Sequence, residues 1–495
     1  MRLIILSLML HLLSEPSYGR VANSVWHTGT VSEAFEEAEA DGKLLLLYWG
    51  AEWCPPCNEL KQNVFSKPQF IELMKPFVAV YLDGDTDRAQ LWGEQLNASG
   101  YPTIMVVDHR GRELLRLSTG VSFEEFQQAL GRVLSIRKPL LELISLILAG
   151  QGDEDDLRQL GVVDWEQIPE VTLSQSEKLN YLSKLLEIKR TPLEVRVKLI
   201  VAYLQGALEG GHITLASLTK YLAEVFQSEK TMLWGRSLIV HHAVSVLGEI
   251  HKGPDSLYLP WRNRWLEALD LIRADEAASV STRLWAVGAK VLVWEMENPN
   301  KDFPWAMVSE VRQTAKWVQK VALTPFQRQS TIYDAAFLLR KTGQLLLAKE
   351  ALTRELKTSR TPWFYYSGLA KVALAENNLD LAYVLSAKAR ESAEGRATKL
   401  QWSVSHLILI CKYGKHFGQE RVHEAISDYY KTAFTLGDGF LGRNGLRSEK
   451  VAGSIKDYIS GLSLTGLLKE YKVRCGGDSD INRKKCIKHF ESLGI

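Results

Sequence analysis

The chain has 495 residues, 46% hydrophobic and 24% charged, with 35 glycines and 15 prolines, a balance that excludes disordered, collagen-like and disulfide-dense classes. Sixty basic against 58 acidic residues leave a net charge of +2, so no bulk electrostatic attraction to nucleic acid or anionic membrane is expected. At roughly 100–200 residues per domain the length points to about three folded units, and five cysteines are too few to staple them, so their positions matter more than their number.

At the amino terminus Arg2 precedes a mostly apolar run from Leu3 to Leu13, followed by a polar stretch in which Ser17 and Gly19 supply small residues at the −3 and −1 positions of a cleavage site. This pattern reads as a secretory signal over residues 1–19. The run is too short to cross a hydrocarbon core, which needs about 20 residues, and no later apolar run approaches that length. A soluble mature protein in an oxidising compartment is expected, where thiols can pair.

From residue 20 to 137 short β-like runs (Leu44 to Trp49, Phe77 to Leu82, Thr103 to Val107) alternate with helix-like stretches, predicting an α/β module. Within it Cys54-Pro55-Pro56-Cys57 follows the first apolar run and precedes a helix-like stretch, Asn58 to Val64. Two cysteines at this spacing can close a small disulfide ring, and the first sits where unpaired N–H groups at a helix start favour a thiolate. Cys54 is therefore expected as nucleophile and Cys57 as resolving thiol. Proline in the first helical turn, as at Pro56, loses no needed donor. A zinc site would need two more ligands at suitable spacing, and none lies close in sequence, so neither a metal nor another cofactor is expected.

The segment Ala51-Glu52-Trp53-Cys54-Pro55-Pro56-Cys57, with Tyr101-Pro102-Thr103 and an apolar strand about 45 residues later, resembles the thioredoxin superfamily. Val64-Phe65-Ser66-Lys67-Pro68-Gln69-Phe70 resembles in particular the carboxyl-terminal domain of DsbD-type thiol:disulfide interchange proteins. The resemblance implies a thioredoxin-like fold and dithiol redox activity. It also implies a cis-proline at Pro102 beside the dithiol, with Trp53, Tyr101 and Pro102 contacting an extended substrate segment. Two features depart from that pattern. The buried aspartate six residues before the first cysteine is replaced by Tyr48, and Phe77 to Leu82 carries no basic residue. Proton transfer must then use Glu52, Glu59, water or no specific group.

After the break at Arg137, Lys138 and Pro139 amphipathic helical spacing takes over, as in Ser176 to Ile188 and Leu193 to Leu208. An all-α region over 138–324 and a second over 325–495 are expected. In the latter, Ala336, Leu345, Leu347 and Ala348 recur 34 positions later as Ala370, Leu379, Leu381 and Ala382, with turn residues Gly343 and Asn377 at the same offset. Tyr333 to Leu356 and Trp363 to Arg390 thus resemble two degenerate tetratricopeptide-type helix hairpins; an ordinary helical bundle is the alternative.

Other signals are weaker. Cys475 and Cys486 flank a glycine-containing loop and form a candidate structural disulfide, whereas Cys411 lies in an apolar run and reads as a core residue. Asp83, Asp85, Asp87 and Glu94 fit positions 1, 3, 5 and 12 of a calcium loop, but Arg88 stands where the turn needs glycine, so a solvated loop is expected. Most of the 14 tryptophans lie in the helical part at core-like spacing.

The sequence therefore predicts an α/β thioredoxin-like domain followed by a large all-α, partly helical-repeat region. The expected activity is exchange of the Cys54/Cys57 dithiol with protein thiol or disulfide substrates and a redox partner protein, in the periplasm or, alternatively, secreted. No nucleic-acid partner and no stable membrane span are expected. A scaffold or chaperone-like binding protein with a secondary dithiol is the competing reading.

Overall fold

The computed structural model describes residues 25–493 apart from 99, 119, 212, 437–438, 441, 460–464 and 476–479; the expected signal segment lies outside them. The α/β module begins with α1 (Val31–Asp41), fixed at its start by a capping box between Thr30 and Glu33 and at its end by Gly42 in the left-handed region. Strand β1 (Leu44–Gly50) is buried along its whole length, which explains its uninterrupted apolar sequence. Leu44, Leu46 and Tyr48 enter one core and Leu45, Leu47 and Trp49 the other, as the alternation of side chains along a strand requires.

Helix α2 (Pro55–Leu60) follows and widens into a π turn over Lys61–Phe65. Next come α3 (Gln69–Met74), β2 (Phe77–Asp83), α4 (Asp87–Gln95), β3 (Thr103–Val107), β4 (Glu113–Leu117) and α5 (Phe123–Ile136). The sheet order is β2-β1-β3-β4, with β1 parallel to β2 and antiparallel to β3, and β3 antiparallel to β4. Three of these strands coincide with the expected runs; β4 was not among them. Its Arg116 is buried and paired with Glu113, which masks a strand as a charged stretch.

Beyond Pro139 all described regular structure is helical, and no described helix is long and apolar enough to cross a membrane. The shift in composition near residue 137 marks the end of the strands, but packing continues across it. Val163 bridges to Leu117 at the free edge of β4, the Asp164 N–H donates to the Arg116 carbonyl, and one apolar cluster runs from Leu44 in β1 to Trp402. The expected helices over 176–188 and 193–208 are found at Gln175–Leu186 and Leu193–Glu209.

The 34-residue echo corresponds to two helix hairpins. One is α6 (Pro325–Lys341) with α7 (Leu345–Leu356), the other α8 (Pro362–Ala375) with α9 (Leu379–Ser392). Gly343 and Asn377 both adopt positive φ, and each turn closes with the same backbone bond, Gln344 N–H to Leu339 O and Asn378 N–H to Ala373 O, both 2.8 Å. Ala336, Ala348, Ala370 and Ala382 are buried, where small side chains let the paired helices approach. Helix α10 (Arg396–Lys412) follows, and a separate apolar cluster spans from Leu400 to the carboxyl-terminal helices. There Cys475 and Cys486 are joined by a disulfide. Cys411 is buried in the same cluster, and burial pushes its thiol up to about 12.

Candidate dithiol site

Cys54 is the N-cap of α2, with Pro55 and Pro56 in the first turn. The Cys57 N–H donates to the Cys54 sulfur at 3.4 Å, so a main-chain dipole points at the expected nucleophile. Asn58, buried one residue on, donates through its side-chain amide to the carbonyls of Glu52 (2.7 Å) and Cys54 (2.9 Å) and fixes the turn. Both cysteines are buried, Cys54 at 3% exposure and Cys57 at 0%. Burial pushes the Cys57 thiol up. The Cys54 sulfur, the Ala51 backbone, the Lys61 cation and the Tyr48 hydroxyl together outweigh it, leaving the thiol below its ordinary value.

The peptide bond between Tyr101 and Pro102 is cis. The Tyr101 ring lies 4.3 Å from Trp49 and 5.8 Å from Trp53, and its hydroxyl donates to the Gly84 carbonyl at 2.9 Å. The Pro102 carbonyl accepts from the Gln167 amide at 3.0 Å, and the Gln167 side-chain oxygen accepts from Thr103 at 2.7 Å. The loop resembling a substrate platform is therefore held by a residue from the helical part.

Asp85 is not in a solvated loop, contrary to expectation. Its carboxylate accepts from the Trp53 indole at 3.0 Å and from the Thr398 hydroxyl at the start of α10. Burial pushes it up to about 6 against these two hydrogen bonds. Main chain packs closely here as well: Gly395 has φ of +75°, and a Cβ at that position would collide with the Asp85 carbonyl.

Helical residues cover the dithiol turn from several directions. The Gln329 amide in α6 donates to the Trp53 carbonyl at 3.0 Å, and its oxygen accepts from Tyr365 of α8 at 3.0 Å. Thr324 donates to Gln62 at 2.6 Å. The Trp53 ring has Phe364 and Trp402 each 6.4 Å away. Trp265, Trp363 and Trp402 are buried, Trp261, Trp285, Trp294 and Trp317 are half-buried, and Trp305 is exposed.

Of the proton-transfer candidates, Glu59 faces the helical part. Burial raises its carboxyl, opposed by Ser279, Arg236 and Ser281. Glu52 is exposed. The groups acting on Cys57 are instead Tyr48, set on the strand below it, and Lys61. Lys61 also lies over the Tyr81 ring at 5.5 Å. It supplies a cation from the helix that the following strand lacks, and its spacing of four from Cys57 was the signal available in the sequence. Gln167 and Gln329 had no comparable signal. Among the described residues no group of three or more His, Cys, Asp or Glu side chains is arranged to hold a metal.

Residues 31–134 match the family model of a thioredoxin-like domain. The chain is 35% identical over 78 residues to the thiol:disulfide interchange protein DsbD of Citrobacter koseri, covering 15% of this chain and 14% of that protein. It is 26% identical over 127 residues to the thioredoxin-related protein DsbJ of Chlamydia pneumoniae (23% of this chain, 36% of that one). With thioredoxin H4 of Arabidopsis thaliana it shares 27% identity over 107 residues, 21% of this chain and 79% of that protein. The chain thus spans well under two thirds of the two Dsb relatives, and the α/β module over residues 31–134 is a thioredoxin-like domain.

Proposed function

We propose that the chain is an exported thiol:disulfide oxidoreductase in which Cys54 attacks a disulfide of a protein substrate and Cys57 resolves the mixed disulfide, the reverse sequence oxidising a dithiol. The observation that carries this reading is the buried Cys54/Cys57 pair at the start of α2, in a domain matching the thioredoxin-like family model. The expected signal over residues 1–19 supports export to the periplasm.

The helical part, in this reading, recognises a protein partner and also controls access. With Cys54 3% exposed beneath α6, α8 and α10, exchange with a protein substrate follows displacement of that cover. The same burial favours the scaffold reading, in which the dithiol is secondary.

Trapping separates the two. A Cys57→Ser chain is expected to accumulate disulfide-linked adducts on Cys54 with specific proteins, and a Cys54→Ala chain to lose function. No adduct, together with full function in Cys54→Ala, would leave the scaffold. The reduction potential of the pair then assigns direction: a value near thioredoxin's means a reductase and one near DsbA's an oxidant.

A further inference from the structure

Tyr48 stands on the face of β1 that also carries Leu44 and Leu46 into the core beneath α2. It is 1% exposed. Its ring stacks on Tyr81 at 5.1 Å and meets the edge of Phe65 at 4.8 Å. Gly50, two residues on and on the same face, leaves the space its hydroxyl occupies; a Cβ there would collide with that oxygen. The hydroxyl has no nitrogen or oxygen partner among the described residues, although buried polar groups ordinarily find one. Cys57 lies in the same buried cluster, with its sulfur in hydrogen-bond contact with this hydroxyl.

We propose that the Tyr48 hydroxyl is the hydrogen-bond donor that stabilises Cys57 as a thiolate during disulfide exchange. The proposal rests on the redox reading above and names a residue for it. In the resolving step the Cys57 thiolate attacks the Cys54 sulfur. The Cys54–Cys57 bond forms, the Cys54–substrate bond breaks, and the substrate sulfur leaves with the electron pair and takes a proton from water. In the reverse direction a substrate thiolate attacks Cys54, and Cys57 departs carrying the negative charge. Tyr48 acts on the same sulfur in both directions.

A phenol here differs from a carboxylate in sign. Burial, with Cys57, Tyr81 and Cys54 adding to it, holds the phenol well above its ordinary value, so it keeps its proton through the neutral range and serves as a donor, never as a base. A buried carboxylate beside Cys57 would repel the thiolate; Tyr48 attracts it. Among the groups around the pair, Lys61 from the π turn adds a cation, Cys54 lies across the dithiol, and Tyr81 on β2 is a second phenol that burial keeps protonated.

The test is a titration of Cys57 in the full-length chain carrying Cys54→Ser, followed by ultraviolet thiolate absorbance. The other thiols do not contribute, because Cys475 and Cys486 are paired and burial pushes Cys411 up to about 12, and tyrosine ionisation is subtracted with the same chain carrying Cys57→Ser as well. Adding Tyr48→Phe, which keeps the ring and removes the hydroxyl, is expected to raise the midpoint by about 1 unit, the scale of a hydrogen bond to a charged group. Tyr81→Phe is expected to move it less. An unmoved or lowered midpoint in Tyr48→Phe, or an equal rise in Tyr81→Phe, overturns the proposal. Should Tyr48→Phe fail to fold, a fluorinated tyrosine at position 48 is a stronger donor of nearly the same size and must lower the midpoint; otherwise the proposal falls. Disulfide turnover by the unmodified chain is measured alongside. Its absence would sink the redox reading alone, because the titration needs no substrate.

Discussion

The carbonyl of Trp53, the residue immediately before Cys54, accepts a hydrogen bond from the side chain of Gln329, 276 positions later in the chain. A carbonyl next to the expected nucleophile is thereby committed to an internal partner. Gln329 is itself held by Tyr365, so the contact belongs to a buried network whose members depend on one another.

Gln329→Leu removes the donor to Trp53 and the acceptor for Tyr365 while keeping similar bulk. Leaving buried groups unpaired is expected to cost about 1–3 kcal/mol, and the loss falls on the contact between α6 and the dithiol turn. Alkylation of Cys54 in the native state is therefore expected to accelerate relative to the unmodified chain, with Cys411 as an internal control that remains slow. Mass spectrometry of the labelled cysteines reads both at once, and equal Cys54 labelling in the two proteins would show that Gln329 does not hold the cover down.

Gly395→Ala wedges the opposite side. A methyl group there meets the Asp85 main chain, and the residue must also hold φ of +75°, which L side chains rarely adopt. The turn before α10 is expected to withdraw from the Asp85 loop, freeing the Thr398 contact and exposing Trp53. Faster hydrogen exchange in both segments, with the amides of β1 unchanged, is the expected pattern; protection equal to that of the unmodified chain would refute it.

The carboxyl of Asp85 gives the fold a pH dependence of determined sign. Because burial raises it to about 6, the folded state holds this proton more tightly than the unfolded chain. Its contribution is fully present below the ordinary aspartate range and is lost as pH rises through about 6. Asp85→Asn keeps an acceptor for Trp53 and Thr398 without the charge. Its melting temperature, compared with that of the unmodified chain, is expected to improve progressively from about pH 4 to 6 and then level off. A difference that stays flat across that range would show that the carboxyl is not raised.

Much of the thioredoxin-like domain was legible in the sequence because its information is local. Leu44 to Trp49 is apolar throughout because both faces of β1 are covered, and the cysteine spacing follows from what one helical turn can bring together. The cover was not legible. Gln329, Thr398 and Gly395 make contacts across hundreds of positions, and a polar residue on a helix carries no mark of the carbonyl it will meet. Asp85 misled for a related reason: alternate acidic residues look solvated until a distant helix closes over one of them. Tyr48 lay between these cases. The sequence showed that an acid was missing, but only the fold revealed a buried hydroxyl beside Cys57 with no nitrogen or oxygen partner among the described residues.

The disulfide between Cys475 and Cys486 closes a loop with a separation of 11 residues. By loop-closure entropy such a link contributes about 3 kcal/mol. Its cysteines sit in the carboxyl-terminal cluster, apart from the core that contains the dithiol. Replacing both by serine is expected to loosen residues 465–492 to proteolysis and leave the Cys54 alkylation rate unaltered. A changed rate would reveal coupling between the tail and the cover.

The apolar cluster that runs without interruption from β1 to Trp402 also governs how the molecule comes apart. Two modules joined by a linker would melt in separate steps, each with its own enthalpy. Here Val163 completes the edge of β4 and Gln167 supports the Pro102 loop, so losing the helices strips the sheet of its lining. Calorimetry should accordingly record the thioredoxin-like domain and the helices packed on it in one cooperative transition, and a polypeptide cut after residue 137 would display a newly wetted apolar surface in place of an independently stable domain.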